Sequence, residues 1–284
     1  MGMNEIKVKA LAKVNLGLDI LRKREDGYHD VRMIMQTIHL YDQLEIKKTN
    51  EPGIHITANL DFLPTDENNL IYKAAKLMQD TYRLEQGVDV NLQKHIPVAA
   101  GMAGGSTDAA AVLYGMNELF GLKLKRKKLM ELGVSIGADV PYCLMRGTAL
   151  AEGIGEQLKS LPPMPKCPVL IAKPAVSVST KFVYEHLKLD ENTVHPDIDA
   201  QLAALSKGGN LLETVTIPAY PVIDEIKRCM LENGAINAMM SGSGPTVFGL
   251  FEDEGIAKKA LETMRETGLA KQVYLTSIYN NRRA

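Results

Sequence analysis

Apolar residues fall at every second position in Val14, Leu16, Leu18 and Ile20, the period of a strand with one buried face. The same alternation returns in Leu44 and Ile46, in Ile54 and Ile56, and in Val88, Val90 and Leu92. Residues 70–82 change period and place Ile71, Ala74, Ala75 and Met78 on one face of a helix. A second helix is predicted by Ala109, Val112, Leu113, Met116, Leu119 and Phe120, with Gly121 placed to end it. Leu129, Leu132 and Ile136 predict a third, running into a turn at 137–141, where Pro141 disfavours a helix continuing through.

Pro162, Pro163, Pro165 and Pro168 then cluster, and a domain boundary is expected there. The chain of 284 residues is long enough for two domains, 1–160 and 161–284. Beyond the boundary the pattern predicts a strand at 169–172 and helices at 181–186, 198–205 and 222–231. A strand at 247–251, a helix at 255–265 and a strand at 273–278 follow. The closing strand–helix–strand set points to an α+β fold, with helices against a mostly antiparallel sheet.

Composition narrows the function. A net charge of −1 leaves no surplus for wrapping a polyanion, so no nucleic-acid partner is expected. Cys143, Cys167 and Cys229 are scattered and form no Cys-x-x-Cys pair, which speaks for free thiols in a reducing cytoplasm. His39, His55, His95, His186 and His195 show no metal-ligand spacing, so no protein-held metal is expected. The first residues lack the apolar core of a secretory signal, and no apolar run approaches the ~20 residues of a membrane span. A cytoplasmic protein without a membrane partner is the expectation.

Chemistry concentrates in Pro97-Val98-Ala99-Ala100-Gly101-Met102-Ala103-Gly104-Gly105-Ser106-Thr107-Asp108, between a predicted strand and a predicted helix. Glycines let the backbone approach a ligand. The first amides of a helix are unpaired and lie at the positive end of its dipole, which suits a polyphosphate. The same composition also serves a tight turn capped by Ser or Thr. There is no Gly-Lys-Ser/Thr of a Walker A loop and no Gly-x-Gly-x-x-Gly of a dinucleotide site.

Residues 97–107 resemble the phosphate-binding signature of the GHMP kinases (galactose, homoserine, mevalonate and phosphomevalonate kinases). That signature is a proline, a variable stretch, then Gly-hydrophobic-Gly/Ala-Gly/Ser-Ser-Ser/Thr ahead of a helix. Ala103 stands where it often has glycine, which suits a negative φ at 103. Ala12-Lys13-Val14-Asn15-Leu16, Arg24-Glu25-Asp26-Gly27-Tyr28-His29, Gly137-Ala138-Asp139-Val140-Pro141 and Ser241-Gly242-Ser243-Gly244-Pro245-Thr246-Val247-Phe248 carry the same resemblance in family order. The Asp-Gly-Tyr-His turn, which most GHMP kinases lack, narrows it to the branch whose acceptor is a cytidine diphosphate derivative of methylerythritol, in non-mevalonate isoprenoid synthesis. The resemblance implies a ribosomal-protein-like N-terminal domain and a ferredoxin-like C-terminal domain, with ATP and this small-molecule substrate in the cleft between them.

It also implies roles. Asp139 would accept the proton of the attacking hydroxyl. Lys13 would lower that hydroxyl's pKa and offset charge on the transferred group. Asn15, two residues on, shares its strand face and would bind substrate. Tyr28 would stack on cytosine, His29 would read its edge, and Tyr184, or Phe182 in its place, would cover the other face. The backbone from Pro97 through Thr107 would cradle ATP, with Ser106 or Thr107 touching a phosphate oxygen or the Mg²⁺ that arrives with it. Asn69 would lie near the adenine, and Lys94 to Ile96 would line the same pocket through main-chain groups. The 241–246 loop would close over substrate.

By residue type alone other readings stand. Asp139 suits a turn before Pro141, Lys13 a solvated strand lysine, and Asp26-Gly27 a plain hairpin turn. Ser106 or Thr107 suits a helix cap, 241–246 a tight turn, Asn15 a turn or strand edge, and Tyr184 or Phe182 a place in the core. The competing functions are a GHMP kinase for another alcohol and a non-catalytic binding module on the same fold.

Overall fold

The computed structural model describes residues 3–203 and 208–282. Strands β1 (Glu5–Lys23) and β2 (His29–Thr49) form a long antiparallel hairpin. The alternation at Val14 to Ile20 belongs to a strand, but not to a half-buried one: from Ala10 to Ile20 every residue except Leu16 is buried. Two cores cover it. Val8, Ala10, Leu18 and Ile20 join a core with the helices, while Ala12 and Val14 join another with Val169, Ile171 and Phe248. Register shifts between Leu11 and Lys13 and between Asn15 and Gly17 turn the strand from one core to the other.

β3 (Ile54–Ala58) pairs in parallel with β4 (Gly87–Gln93), and β4 joins the C-terminal end of β2. Residues 33–36 of β2 pair with β5 (Thr148–Glu152), and β5 with β6 (Gln157–Ser160). The first sheet thus runs β3-β4-β2-β5-β6, with β1 on β2. Helix α1 (Leu70–Tyr82) has the predicted bounds, and Ile71, Ala74, Ala75 and Met78 are its buried stripe. Helix α2 (Gly104–Leu119) begins inside the glycine loop, earlier than its apolar spacing indicates, because glycines carry no stripe.

After α3 (Arg126–Val134) comes α4 (Val140–Met145), which apolar spacing did not announce. Pro141 ends one helical path and opens another: in a first turn its missing N–H would have had no partner anyway.

Residues 161–167 lead to the second sheet. It comprises β7 (Pro168–Lys173), β8 (Asn237–Met240), β9 (Val247–Leu250) and β10 (Gln272–Ser277), antiparallel throughout in the order β10-β7-β9-β8. Between β7 and β8 lie α5 (Thr180–His186), α6 (Ile198–Ala203), α7 (Glu213–Ala219) and α8 (Val222–Glu232). α9 (Glu254–Thr267) joins β9 to β10. With α8 and α9, this strand order is ferredoxin-like. The end of the predicted 198–205 helix, 204–205, lies outside the described residues. α7 and β8 were not expected: α7 holds Pro218, and Asn-Ala-Met-Met has little strand preference. Among the described residues no helix is long and apolar enough to cross a membrane.

Candidate active site

The glycine loop is shaped by what lies behind it. Met102 is buried in the core between the sheets, and its carbonyl accepts the Lys13 amide at 3.2 Å. A Cβ on Gly101 (φ +72°) would sit 2.0 Å from the Ser241 carbonyl oxygen, so only glycine lets the loop rest on the 241–246 turn. Ser241 Oγ donates to the Gly101 carbonyl at 2.9 Å. From the anchored Met102 the chain must reverse at once to enter α2. Ala103 therefore adopts the left-handed region, φ 56°, correcting the negative φ expected of an alanine there.

Ala103 is the N-cap of α2 and offers no side-chain cap, whereas Asn69, Ser179 and Asp253 cap α1, α5 and α9. The first intrahelical bond runs from Thr107 N to Ala103 O, so the amides of Gly104, Gly105 and Ser106 have no acceptor within the helix. Neither Ser106 nor Thr107 caps the helix. Thr107 Oγ1 is buried and donates to Leu11 O at 2.8 Å, while Ser106 lines the cleft that also contains Asp139. An uncapped helix start and a forward hydroxyl are features that suit a polyanion.

Lys13 is 5% exposed and reaches the same cleft. Its Nζ donates to Asn15 Oδ1 at 2.8 Å and to Gly101 O at 3.1 Å, and stands 3.9 Å from Asp139 Oδ2. Asn15 is fully buried, on the Lys13 side of the strand as its spacing requires, and lines the cleft. Asp139 precedes α4, but its side chain makes no capping hydrogen bond, and 29% of it is exposed. Its carboxylate is free to act on something else.

This cleft, of about 320 Å³, adjoins a second of about 470 Å³ lined by Lys23, Gly27, Tyr28, His29 and Lys181; Val31, Ile154, Thr180 and Tyr184 line both. Tyr28 is 61% exposed at the hairpin tip, where the backbone amide donates to Asp26 Oδ1. His29 and Tyr184 have ring centroids 5.0 Å apart. Burial, with a smaller contribution from the Lys23 charge, lowers the His29 pKa and so favours the neutral ring, which has one donor and one acceptor nitrogen. Burial, then the Asp139 charge, pushes the Tyr184 phenol up to about 12. Phe182 packs on His186 at 4.2 Å, and Tyr184 is the aromatic that lines the cleft.

Lys94 occupies a different place from the one expected. Asn59 engages both its main-chain groups, accepting from Lys94 N at 2.7 Å and donating to Lys94 O at 3.2 Å. Its ammonium is buried between Asp42 Oδ2 at 2.5 Å and Asp108 Oδ2 at 2.6 Å, directly beneath Gly104, where a Cβ would come within 3.0 Å of Nζ. Burial opposes the Lys94 charge, but Asp108 and Asp42 outweigh it and raise its pKa. Burial also lifts the Asp108 carboxyl well above the usual range. The Asn69 side chain accepts from Ile71 N at 2.9 Å and donates to Pro64 O at 2.7 Å, serving α1 rather than the cleft, although the neighbouring Leu70 approaches Gly105.

Thr180 and Asn210, which no sequence expectation named, join the 241–246 turn beside the cleft. Thr180 Oγ1 and Ser243 Oγ, both lining the cleft, lie 2.8 Å apart. Asn210 Nδ2 donates to Met240 O at 2.9 Å and to Gly242 O at 2.8 Å, holding the 241–246 turn. The Ser179-Thr180 pair that opens α5 was the only local signal for Thr180. Among the described residues no cluster of His, Cys, Asp and Glu could hold a metal ion.

The profile described as GHMP kinases N terminal domain matches residues 69–147, and that described as GHMP kinases C terminal matches 191–270. A 4-diphosphocytidyl-2-C-methyl-D-erythritol kinase of Lachnospira eligens is 58% identical over 98% of this chain and 99% of its own. One from Lachnoclostridium phytofermentans is 56% identical over 99% of each. The crystal structure of a 4-(cytidine 5'-diphospho)-2C-methyl-D-erythritol kinase superposes with a TM-score of 0.85 at 32% identity, covering 97% of this chain and 100% of that one.

Proposed function

The chain belongs to the GHMP kinases and, within them, to the 4-diphosphocytidyl-2-C-methyl-D-erythritol kinases, and on that premise we propose that it transfers the γ-phosphoryl group of ATP to the tertiary 2-hydroxyl of 4-diphosphocytidyl-2-C-methyl-D-erythritol, a step of non-mevalonate isoprenoid synthesis. The observation that carries this reading is the Lys13–Asp139 pair, 3.9 Å apart in the cleft beside the uncapped start of α2. That spacing is too long for a direct hydrogen bond. It leaves Asp139 with acceptor capacity for a hydroxyl proton and Lys13 with charge to lower that hydroxyl's pKa.

As the oxygen bonds to the γ-phosphorus and the bond from that phosphorus to the β–γ bridging oxygen breaks to release ADP, Asp139 takes the hydroxyl proton. Lys13 and the amides of Gly104, Gly105 and Ser106 offset the negative charge on the moving group. Mg²⁺, arriving with ATP, would neutralise phosphate charge, and Ser106, the loop hydroxyl that lines the cleft, would be available to hold it. Tyr28, His29 and Tyr184 hold the cytosine in the adjoining cleft, which sets the acceptor hydroxyl against Asp139. Residues 1–160 supply Lys13, Asp139 and the phosphate loop, and residues 161–284 supply Tyr184 and the 241–246 turn.

The test is ADP release from Mg·ATP with the cytidine substrate, mevalonate and homoserine in parallel, for wild type and Asp139→Asn. Turnover of the cytidine substrate alone, lost in the variant, is expected. Turnover of another alcohol instead would remove the cytosine role from Tyr28 and His29. Full activity in Asp139→Asn would remove the base.

A further inference from the structure

Helix α4 is only six residues long, too short to hold its orientation by its own hydrogen bonds, yet it begins at Asp139. Its direction must come from tertiary anchors, and the anchor is Tyr142, fully buried one turn after Asp139. Tyr142 Oη donates to Gly147 O at 2.6 Å and lies 2.9 Å from Thr37 Oγ1, which accepts from Gly147 N at 3.0 Å. Proton counting settles the directions. The carbonyl cannot donate, so the single phenolic proton goes to Gly147 O and the Thr37 hydroxyl must donate to Tyr142 Oη. The result is a closed ring: Gly147 N–H to Thr37, Thr37 O–H to Tyr142, Tyr142 O–H to the Gly147 carbonyl. Burial lifts the Tyr142 phenol well above its ordinary value, so it remains a donor throughout the working pH range.

The ring spans two elements of the site. Thr37 on β2 is the register partner of Lys13 on β1, and Tyr142 belongs to the helix that begins at Asp139. Residues beyond β10 close over it: Tyr279 N donates to Thr37 O at 2.9 Å, and Arg282 lies against Gly147, with Nη2 donating to Thr148 O at 2.9 Å and Leu161 O at 2.7 Å. We propose that Thr37 and Tyr142 are positioning residues, whose hydroxyls lock the Asp139 helix to the strand paired with Lys13 and thereby set the Lys13–Asp139 separation. This rests on Asp139 acting as the base.

The test measures kcat, both KM values and Tm for Tyr142→Phe, Thr37→Val and the pair together, each in the wild-type and Asp139→Asn backgrounds. A displaced catalytic group costs about 10- to 100-fold, so kcat should fall by that factor in each variant while both KM values stay within about twofold. The pair should lose no more than either alone, because the ring breaks once. In the Asp139→Asn background neither change should lower the residual rate further. Unchanged kcat in the folded single variants, or losses that multiply with Asp139→Asn, would overturn the proposal. Wild-type activity in Asp139→Asn itself would instead sink the base assignment, a separate result. Should the core variants not fold, half-buried Arg282 decides: a kcat loss in Arg282→Ala restored in Arg282→Lys supports the lock, and an unchanged kcat overturns it.

Discussion

Two lysines flank the glycine loop, buried to nearly the same extent, 5% exposed at Lys13 and 7% at Lys94, and they keep different company. Lys94 touches two carboxylates, at 2.5 and 2.6 Å, and Asp42 also accepts the amides of His95 at 2.6 Å and Ile96 at 2.8 Å. Its charge is spent within the protein, tying β2, the end of β4 and α2 together under Gly104. Lys13 has neutral oxygens at contact distance and its carboxylate a step away, at 3.9 Å in an open cleft. The same residue type, at the same burial, is a fastener where its partners saturate it and keeps its charge available where one partner stands off.

Replacing each lysine by methionine separates the two most sharply. Lys94→Met strands the buried Asp42 carboxylate, removes the partner of the Asp108 carboxyl, and should lower unfolding free energy by about 3–5 kcal/mol, read from the urea midpoint. Lys13→Met leaves Asp139 with access to water, so stability should change by no more than ~1 kcal/mol, while kcat falls about 10²- to 10³-fold. Equal stability losses would erase the distinction. Next in size, Tyr184→Ala should raise KM for the cytidine substrate by roughly 5- to 100-fold, the value of one base–aromatic stack, and leave KM for ATP unchanged. A matching rise for ATP would mean that Tyr184 only props the cleft.

A smaller effect follows from charge. Because burial raises the Asp108 carboxyl, the folded state holds its proton to higher pH than the unfolded chain does. That contribution is complete below the unfolded carboxylate value and is lost as pH rises through the folded one, with a slope of at most about 1.4 kcal/mol per pH unit. Asp108→Asn should flatten the fall of Tm as pH rises above the unfolded carboxylate value; an unchanged slope would assign it elsewhere. Smallest of all, Ala103→Gly should relieve the left-handed backbone and stabilise the protein by about 1 kcal/mol in thermal unfolding, with the loop otherwise intact.

Legibility in the sequence followed the range of the interaction. α1 was readable because Ile71, Ala74, Ala75 and Met78 repeat within one helix, and β10 because its apolar run is local. α4 was not, since one and a half turns show no period and its orientation comes from Thr37, over a hundred residues earlier. Lys13 and Asp139 were named by resemblance to a family motif, and residue type alone left both open. Asp42 and Asp108 carried no signal, although they decide what Lys94 does.

By itself, then, the sequence determined the α+β class, the element order around the glycine loop and the residue types capable of phosphoryl chemistry, because periodicity and motif spacing act over a few residues. Only the tertiary structure decided which lysine is saturated and which is poised, which hydroxyl of Ser106 and Thr107 faces the cleft, and that Ala103 must turn left-handed. Each of those depends on a partner brought from a distant segment, and the distance between two charges is a property of the packed chain.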